Sequence, residues 1–324
     1  AIVIGFGAAH LFRPGDGLHL EMFADATRNY QARQMPLPEY IAQFLRGLFQ
    51  NPFKALAQGE ILAIVMIALF LGIALVVGGE RYRNIRNLVQ ELQELCLRIV
   101  GWIMRLAPLG LAALLMQLVA SQQGGLLMSL GHFIVVVTGT TLFHGLIVLP
   151  AILWLFTRMS PLNFFKGARE ALITAFATSS SAATLPVTLR CTEQHLHVRK
   201  DIANFVVPLG ATVNMDGTAL YEAAAALFVA RLAGIELDIA SQLIIFFVAM
   251  LGAIGAPGIP STGMLSMVLV LESVGLPTEA IAILLPIDRI LDTVRTAVNV
   301  EGDMIGSLVV QKLAGHPQSR VVST

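Results

Sequence analysis

The chain has 324 residues, of which 56% are hydrophobic and 13% are charged, and its mean hydropathy is +0.75. A soluble domain carries roughly 25% charged residues, so this deficit indicates that much of the surface faces lipid. The 21 basic and 21 acidic side chains balance, which gives no reason to expect a nucleic-acid partner. The two cysteines, Cys96 and Cys191, fit no metal or redox spacing. The composition therefore predicts a polytopic membrane protein.

The first apolar segment, residues 1–12, is too short to span a bilayer, which needs about 20 residues. The chain begins inside this segment, without an initiator Met or a signal peptide. We therefore expect the sequence to start partway through a helix, with upstream segments absent. Residues 13–40 are polar and contain Pro and Gly, which predicts a loop.

Long helices are predicted next. Residues 61–79 carry no charge and are long enough to form a spanning helix. Residues 81–118 are predicted to form one helix whose first half is charged. Residues 106–157 contain no Asp, Glu, Lys or Arg and are too long for one span, so Ser121–Gly125 is expected to divide them.

Two pairs of half-length apolar segments follow. The first pair flanks a tip of small residues at 178–184 (TSSSAAT), and the second pair flanks 255–263 (GAPGIPSTG). Each pair precedes a longer polar-bearing helix, at 202–229, which NMDGT interrupts at 214–218, and at 277–310. Short, Gly- or Pro-interrupted segments in corresponding positions are typical of a transporter site built from inverted repeats. A channel with re-entrant loops or an unrelated helical bundle is the alternative.

The distribution of charge agrees with two re-entrant hairpins. If Arg81, Arg83 and Arg86 lie inside and both hairpins re-enter, the other basic clusters also fall inside. Those clusters are Arg158/Lys166/Arg169, Arg190/Arg199/Lys200 and Lys312/Arg320. The opposite side then receives the clusters richer in acidic residues, Asp16/Glu21/Asp25 with nearby arginines, Arg231/Glu236/Asp238 and Glu272/Glu279.

The helix predicted over 277–310 carries a polar stripe. Its members recur at steps of four, three, four and four residues, which stacks them on one helical face. They are Asp288, Asp292, Arg295, Asn299 and Asp303, and Arg289 and Thr296 flank them. A charge at bilayer depth costs on the order of 3 kcal/mol or more, so the stripe should face protein or a water-filled cavity. A solvated amphipathic helix is the alternative.

The NMDGT sequence at 214–218 interrupts an otherwise apolar span. Gly217 permits unwinding, which would free backbone carbonyls, and Asn214 and Asp216 add side-chain oxygens. Hard cations such as Na⁺ prefer oxygen ligands, and unwound backbone at membrane depth is tolerated where it lines a site. The alternative is a simple kink in which Asp216 pairs with a neighbouring arginine.

Three other features allow two interpretations each. The tip at 178–184 precedes a half-helix starting near Ser181, whose N–H groups suit a carboxylate, but such a run also serves helix packing. Residues 255–263 form either a gate or a static loop. Glu222 either carries a proton, because burial disfavours a charged carboxylate, or pairs with an arginine.

Three motifs, in this order and spacing, resemble the glutamate/aspartate (dicarboxylate/amino acid:cation) symporter family. They are TSSSAATLPVT at 178–188, NMDGTALYE at 214–222 and LDTVRTAVNVEGD at 291–303. The resemblance runs from Ala1 to about Lys312, and against the family the chain lacks the first two helices and most of the third.

The family resemblance implies an all-α polytopic membrane fold. Its features would be an inverted-repeat transport core with two re-entrant helical hairpins and part of a scaffold domain. Residues 1–158 would form scaffold, trimerisation and peripheral helices, residues 159–312 the transport core, and residues 313–324 a cytoplasmic tail.

The same resemblance implies where the substrate would bind. The substrate would lie between the two tips and the last helix, with Arg295 at its side-chain carboxylate and Asp292 at its amino group. Further contacts would come from residues with hydroxyl or amide groups, namely Ser180, Ser181, Thr218, Thr296 and Asn299.

Three Na⁺ sites are implied as well. The first would use Gly210, Asn214, Asn299 and Asp303. The second would use carbonyls of Thr212, Ala253, Ile254 and Ala256. The third would use Asn214 and Asp216, together with residues upstream of Ala1.

Several positions bear on substrate and coupling ion. Arg295 favours an acidic substrate, because a guanidinium binds a carboxylate through two hydrogen bonds. Glu222 matches the glutamate that animal members of the family use for proton coupling and K⁺ exchange. Where the family usually has a second arginine, this chain has Ser179 and Thr293, and Arg289 is the candidate substitute.

The sequence thus predicts a secondary active transporter for glutamate or aspartate, coupled to Na⁺ and/or H⁺, with K⁺ as a candidate counter-ion. An elevator-type mechanism, a homotrimer and a multi-pass location in the plasma or inner membrane are implied by the family. A C4-dicarboxylate or neutral amino acid symporter of the same family, or an ion channel, is the alternative. No enzymatic activity is expected, since nothing ties an intramembrane histidine, His132 or His144, to the serines of the tip.

Overall fold

The chain is described by a computed structural model that covers residues 1–18, 42, 46–58, 61–120, 124–256 and 258–315. Within these ranges the secondary structure is helical and contains no β-strand, which confirms the predicted all-α class. Predictions that concern residues 19–40, Pro257 and Arg320 lie outside the described residues. The chain divides into two compact units, Arg33–Gly124 and Ala1–Ala32 with Gly125–Thr324.

The unit formed by Arg33–Gly124 is built from apolar and amphipathic helices. Its helices in the described ranges include Pro52–Gln58, Ile61–Val77 and Arg83–Ala120, with a 3-10 turn at Gly79–Tyr82. The second and third of these match the helices predicted at 61–79 and 81–118. Leu71 and Val76 are more than half exposed, as apolar side chains on a lipid-facing helix would be.

The larger unit begins with helix Ile2–Phe12, which packs on the helix Asp216–Leu232. A Cβ at Gly5 would lie 2.5 Å from the carbonyl oxygen of Leu220, so this close approach requires a glycine. The next helix runs without a break through Gly124–Phe143, a π-helical turn at His144–Val148, and Leu149–Thr157. Within the ranges that the structure describes, the segment 124–157 is long and apolar enough to cross a membrane.

The first hairpin, here the helices Pro161–Thr178 and Ser181–Arg190, turns at two serines. Ser179 adopts the left-handed conformation with φ 51°, and Ser180 is extended. The Oγ of Ser180 accepts a hydrogen bond from the N–H of Ala183 at 3.1 Å, which caps the second helix. The half-helix therefore begins at Ser181, as its composition predicts, whereas the first arm extends back to Pro161 and includes charged residues.

The interrupted helix consists of Lys200–Val213 and Asp216–Leu232. Asn214 and Met215 leave helical geometry between them, with φ/ψ of −98°/72° and −108°/54°. The predicted break therefore falls at the start of NMDGT. Nearly every residue of the second half is buried, because its alanines allow neighbouring helices to approach on all sides.

The second hairpin comprises Ile239–Gly255 and Gly263–Ser273, which pack against each other. The last helix, Ile281–Ala314, follows a 3-10 turn at Thr278–Ala280 and packs on both hairpins and the interrupted helix. Re-entry of the hairpins into a membrane stays a prediction. Residues 125–157 belong to the same compact unit as the predicted transport core. The boundary between scaffold and transport core at residue 158 stays a prediction.

Candidate functional site

A fully buried arginine lies at the centre of the polar stripe on the last helix. Arg295 is 1% exposed, and its Nη2 donates to Asp288 Oδ1 at 2.6 Å and to Asp292 Oδ1 at 3.0 Å. Its guanidinium carbon lies 4.0 Å from the ring centroid of Tyr221, which is a cation–π distance. The Nε and Nη1 atoms of Arg295 are buried without a hydrogen-bond partner in the described part of the chain. These two donors suit an incoming carboxylate.

The tips of the two hairpins touch each other and the last helix. The Oγ of Ser180 and the N–H of Ala182 donate to the carbonyl of Gly258 at 2.7 Å and 3.0 Å. The N–H of Ser261 donates to Asp292 Oδ2 at 2.8 Å. The groups of Ser180 and Asp292 that are predicted to hold the substrate are thus occupied by the backbone of the second tip. A ligand at this place would have to displace that tip.

Asn299 joins the last helix to the interrupted helix. Its Oδ1 accepts a hydrogen bond from the N–H of Gly217 at 2.8 Å, and its Nδ2 donates to Thr218 Oγ1 at 3.3 Å. Its backbone carbonyl accepts from Asn214 Nδ2 at 3.3 Å. Thr218 and Asn299 are therefore neighbours. Two other predicted substrate contacts, Ser181 and Thr296, are also buried, with exposures of 4% and 5%.

Oxygen-bearing groups converge where the interrupted helix breaks. Asn214 Nδ2 donates to Asp303 Oδ1 at 3.0 Å, and Asp303 is 3% exposed. The backbone at Gly210 approaches this carboxylate so closely that a Cβ there would lie 2.5 Å from Asp303 Oδ1. The structure thus brings together the four residues of the first predicted Na⁺ site, Gly210, Asn214, Asn299 and Asp303. A carboxylate, amide groups and backbone carbonyls are a suitable donor set for a hard cation.

A cavity of about 420 Å³ opens beside the same break. The residues that line it include four of those assigned to the second and third predicted Na⁺ sites, namely Asn214, Asp216, Ala253 and Ile254. Thr212 and Ala256 do not line it, and the hydroxyl of Thr212 donates to the carbonyl of Leu209 at 2.9 Å. The second predicted Na⁺ site stays a prediction.

Glu222 lies fully buried in the alanine-rich half of the interrupted helix. Its Oε1 accepts a hydrogen bond from the hydroxyl of Ser266 in the second hairpin. Its Oε2 has no hydrogen-bond partner in the described ranges, where Glu222 also forms no ion pair. Both predicted roles of Glu222, as a proton carrier and as the structural partner of an arginine, therefore stay predictions.

Arg289 brings a second guanidinium toward the stripe. Its Nη1 lies 4.0 Å from Asp292 Oδ2, and its side chain is 33% exposed. With Arg289 included, two arginines face Asp288 and Asp292, so the formal charge of this group is zero.

Two further buried polar residues lie outside the polar stripe and the NMDGT motif. His144 Nε2 lies 2.5 Å from Asp216 Oδ2, and Glu301 is 3% exposed with an unpartnered Oε1 among the described residues. Glu301 stands two positions after Asn299, about 200° around the helix, and so falls off the polar stripe. One feature of the sequence could have identified His144 as a buried polar residue, because it lies inside a segment that lacks Asp, Glu, Lys and Arg.

In the described residues, buried polar groups meet at a broken helix and two helical hairpins, which is an arrangement typical of secondary transporters. A sequence comparison matches residues 1–313 to the sodium:dicarboxylate symporter family. Because this match covers nearly the whole chain, the chain belongs to that family. The family predicted from the three motifs is thereby confirmed, and its members are helical membrane transporters.

Curated relatives agree with this family. Excitatory amino acid transporter 2 of Homo sapiens is 41% identical over 264 residues, which cover 79% of this chain and 45% of the relative. Excitatory amino acid transporter 1 of Ambystoma tigrinum is 40% identical over 260 residues, 79% of this chain and 47% of the relative. Excitatory amino acid transporter 3 of Mus musculus is 39% identical over 256 residues, 79% of this chain and 49% of the relative. The chain thus spans about half the length of these relatives.

Replacement of Gly210 by alanine tests how closely the interrupted helix approaches Asp303. The added methyl group would collide with the Asp303 side chain, so this buried carboxylate or one of the helices must shift, at a cost of about 1–3 kcal/mol in the free energy of unfolding. Denaturation of the purified protein in detergent measures this change.

Gly306→Ala is the matched control, because the nearest atom outside its own helix would lie 4.0 Å from the new Cβ. This variant shows the gain of about 1 kcal/mol that alanine brings to a helix. If Gly210→Ala gains stability to the same extent, the close approach is wrong.

Proposed function

We propose that this chain is the core of a secondary transporter that couples uptake of glutamate or aspartate to Na⁺. The observation that carries the proposal is the buried guanidinium of Arg295, with two donors unpartnered in the described part of the chain. Hydrogen bonds from a guanidinium to a carboxylate are charge-assisted and strong, so the free Nε and Nη1 donors favour a substrate whose side chain carries a second carboxylate. The names of the relatives, excitatory amino acid transporters, support an acidic substrate.

Asp292 supports an amino acid rather than a simple dicarboxylate. Its Oδ2 faces the second tip, where it accepts the N–H of Ser261. A substrate ammonium could take the place of that N–H and would be attracted by the carboxylate. A C4-dicarboxylate has no ammonium group to donate to Asp292, and its own carboxylate would repel that of Asp292. The neutral amino acid alternative is disfavoured by Arg295, which would keep two unpaired donors.

Coupling to a cation is proposed through Asn299. Asn214, Asn299 and Asp303, with the backbone at Gly210, would hold Na⁺, whose charge would offset the buried Asp303 carboxylate. The side chain of Asn299 binds Gly217 and Thr218, whereas its carbonyl accepts from Asn214. The same residue therefore fixes both the proposed cation ligands and the proposed substrate contact. If a bound cation fixes the position of Asn299, less conformational entropy is lost when the substrate binds, and the reverse also holds.

The second hairpin is proposed as the gate. Its tip contributes the carbonyl of Gly258 to Ser180 and the N–H of Ser261 to Asp292, both at the predicted substrate contacts. Substrate would replace these backbone groups, and the tip would move away to admit it. An elevator movement of the core, assembly as a homotrimer and a location in the plasma or inner membrane belong to the same proposal and rest on the family.

Glu222 is proposed as a proton carrier, with H⁺ and K⁺ as further coupling ions. It is completely buried, its Oε1 accepts a hydrogen bond from Ser266, and it forms no ion pair among the described residues. Loss of its charge on protonation would therefore stabilise it in this apolar surrounding.

Arg295→Cys is expected to abolish uptake of labelled aspartate by proteoliposomes. A charged hydrogen bond contributes about 1.5–3 kcal/mol, so loss of the hydrogen bonds from Arg295 should weaken aspartate binding about 100-fold or more. Na⁺-dependent binding of serine by the variant would show that the fold survives.

Arg105→Cys removes an exposed arginine from another helix and should leave uptake unchanged. Undiminished aspartate binding by Arg295→Cys would contradict the substrate assignment.

Glu222→Gln should abolish the pH dependence of aspartate uptake, because the amide cannot take up a proton. Initial rates in proteoliposomes between about pH 5 and pH 8 measure it. Glu236→Gln, at an exposed glutamate, is the control and should retain the wild-type profile. An unaltered profile in Glu222→Gln would show that this carboxylate carries no coupling proton.

A further inference from the structure

A cleft lined by both polar and apolar residues lies near the C-terminal end of the last helix, far from Arg295. Three segments that are distant in sequence border it, around Thr157, around Arg199 and from Leu308 to Gly315, and its volume is about 650 Å³. The apolar part of its lining comes from Met159, Leu196 and Leu308. None of the residues assigned to substrate or Na⁺ contributes to it.

The position of this cleft corresponds to the headgroup level of a bilayer. It opens at Thr157, the end of the apolar segment 124–157. Trp154 is 51% exposed in the last turns of this segment, and the guanidinium of Arg158 lies 4.7 Å from its ring centroid. Exposed tryptophan beside arginine at a helix end is typical of the membrane–water interface.

Basic side chains dominate the polar part of the cleft. Lys312 is exposed and forms no ion pair with any described residue, and His197 is also exposed. Arg199 donates to both oxygens of Asp201 and, through Nη1, to the carbonyl of Gly315 at 3.3 Å. Asp201 is the acidic group in contact with this cluster, and the hydrogen bond from Arg199 holds the pKa of its carboxyl below the ordinary value.

The loop that carries Arg199 is fastened to the last helix. The Arg199 N–H donates to Gln311 Oε1 at 2.6 Å, and Gln311 Nε2 donates to the carbonyl of His197 at 3.2 Å. The Val198 N–H donates to the carbonyl of Thr192 at 3.0 Å. Arg199 and Lys312 are therefore held on two sides of one space by a defined backbone rather than by a free loop.

We propose that this cleft binds the headgroup of an anionic phospholipid. The phosphate would lie between Lys312 and Arg199, and the glycerol and upper acyl atoms would lie against Met159, Leu196 and Leu308. Basic pockets between helices at the membrane surface bind such headgroups. The apolar lining and the adjoining exposed Trp154 favour a lipid over a free phosphate ion.

The test uses the purified full chain in detergent and dioctanoyl phosphatidic acid as the probe, with binding measured by calorimetry. The contribution of one basic side chain near an anionic headgroup corresponds to about fivefold in affinity. Lys312→Gln and Arg199→Gln should therefore each raise the dissociation constant about fivefold. Asp201→Asn should lower it, because Arg199 is released from its carboxylate partner.

Arg83→Gln is the matched control, since it removes an exposed positive charge predicted for the same side of the membrane. Its dissociation constant should equal that of the wild type. Equal loss in Arg83→Gln and Lys312→Gln would overturn the cleft as the site. Dioctanoyl phosphatidylcholine that binds as tightly as phosphatidic acid would overturn the requirement for an anion. Glycerol 3-phosphate that binds as tightly would overturn the lipid in favour of a soluble phosphate.

Discussion

The complete burial of the Arg295 guanidinium is the constraint on which the rest of the core depends. A buried charge without compensation is costly, so groups of opposite charge or aromatic rings must lie next to the guanidinium. Asp288 and Asp292 do so from the same helix, and the ring of Tyr221 does so from the interrupted helix. The Nε and Nη1 donors of the guanidinium have no hydrogen-bond partner in the part of the chain that the structure describes.

Asn299 then links this charged group to the oxygen-rich break of the interrupted helix. The Asn299 side chain bonds to Gly217 and Thr218, and the Asn299 carbonyl accepts a hydrogen bond from Asn214. The proposed substrate contact and the proposed cation site therefore share one residue. No long pathway is needed to explain why a cation and a substrate would bind together. The second tip adds to this arrangement, because its backbone forms hydrogen bonds with Ser180 and Asp292.

Much of this arrangement could be predicted from the sequence because the polar residues are rare and regularly spaced. The four-residue steps from Asp288 to Asp303 identify one helical face, and Asn214–Gly217 identify the break. The contact of Gly258 with Ser180 could not be predicted, because a backbone carbonyl leaves no sequence signal. Glu301 falls off the stripe, and the partner of His144 lies 72 positions away in the chain. The substrate and cation roles came from family resemblance rather than from residue chemistry alone.

Binding of aspartate to the purified full chain, titrated in NaCl and in choline chloride, measures the coupling through Asn299 most directly. Coupling free energies between two sites commonly correspond to about 5–150-fold in affinity. Aspartate should therefore bind at least about tenfold more tightly in NaCl, and succinate should bind weakly in both salts. Equal affinity for aspartate in the two salts would contradict the proposed coupling, and succinate binding as tight as that of aspartate would contradict the role of Asp292.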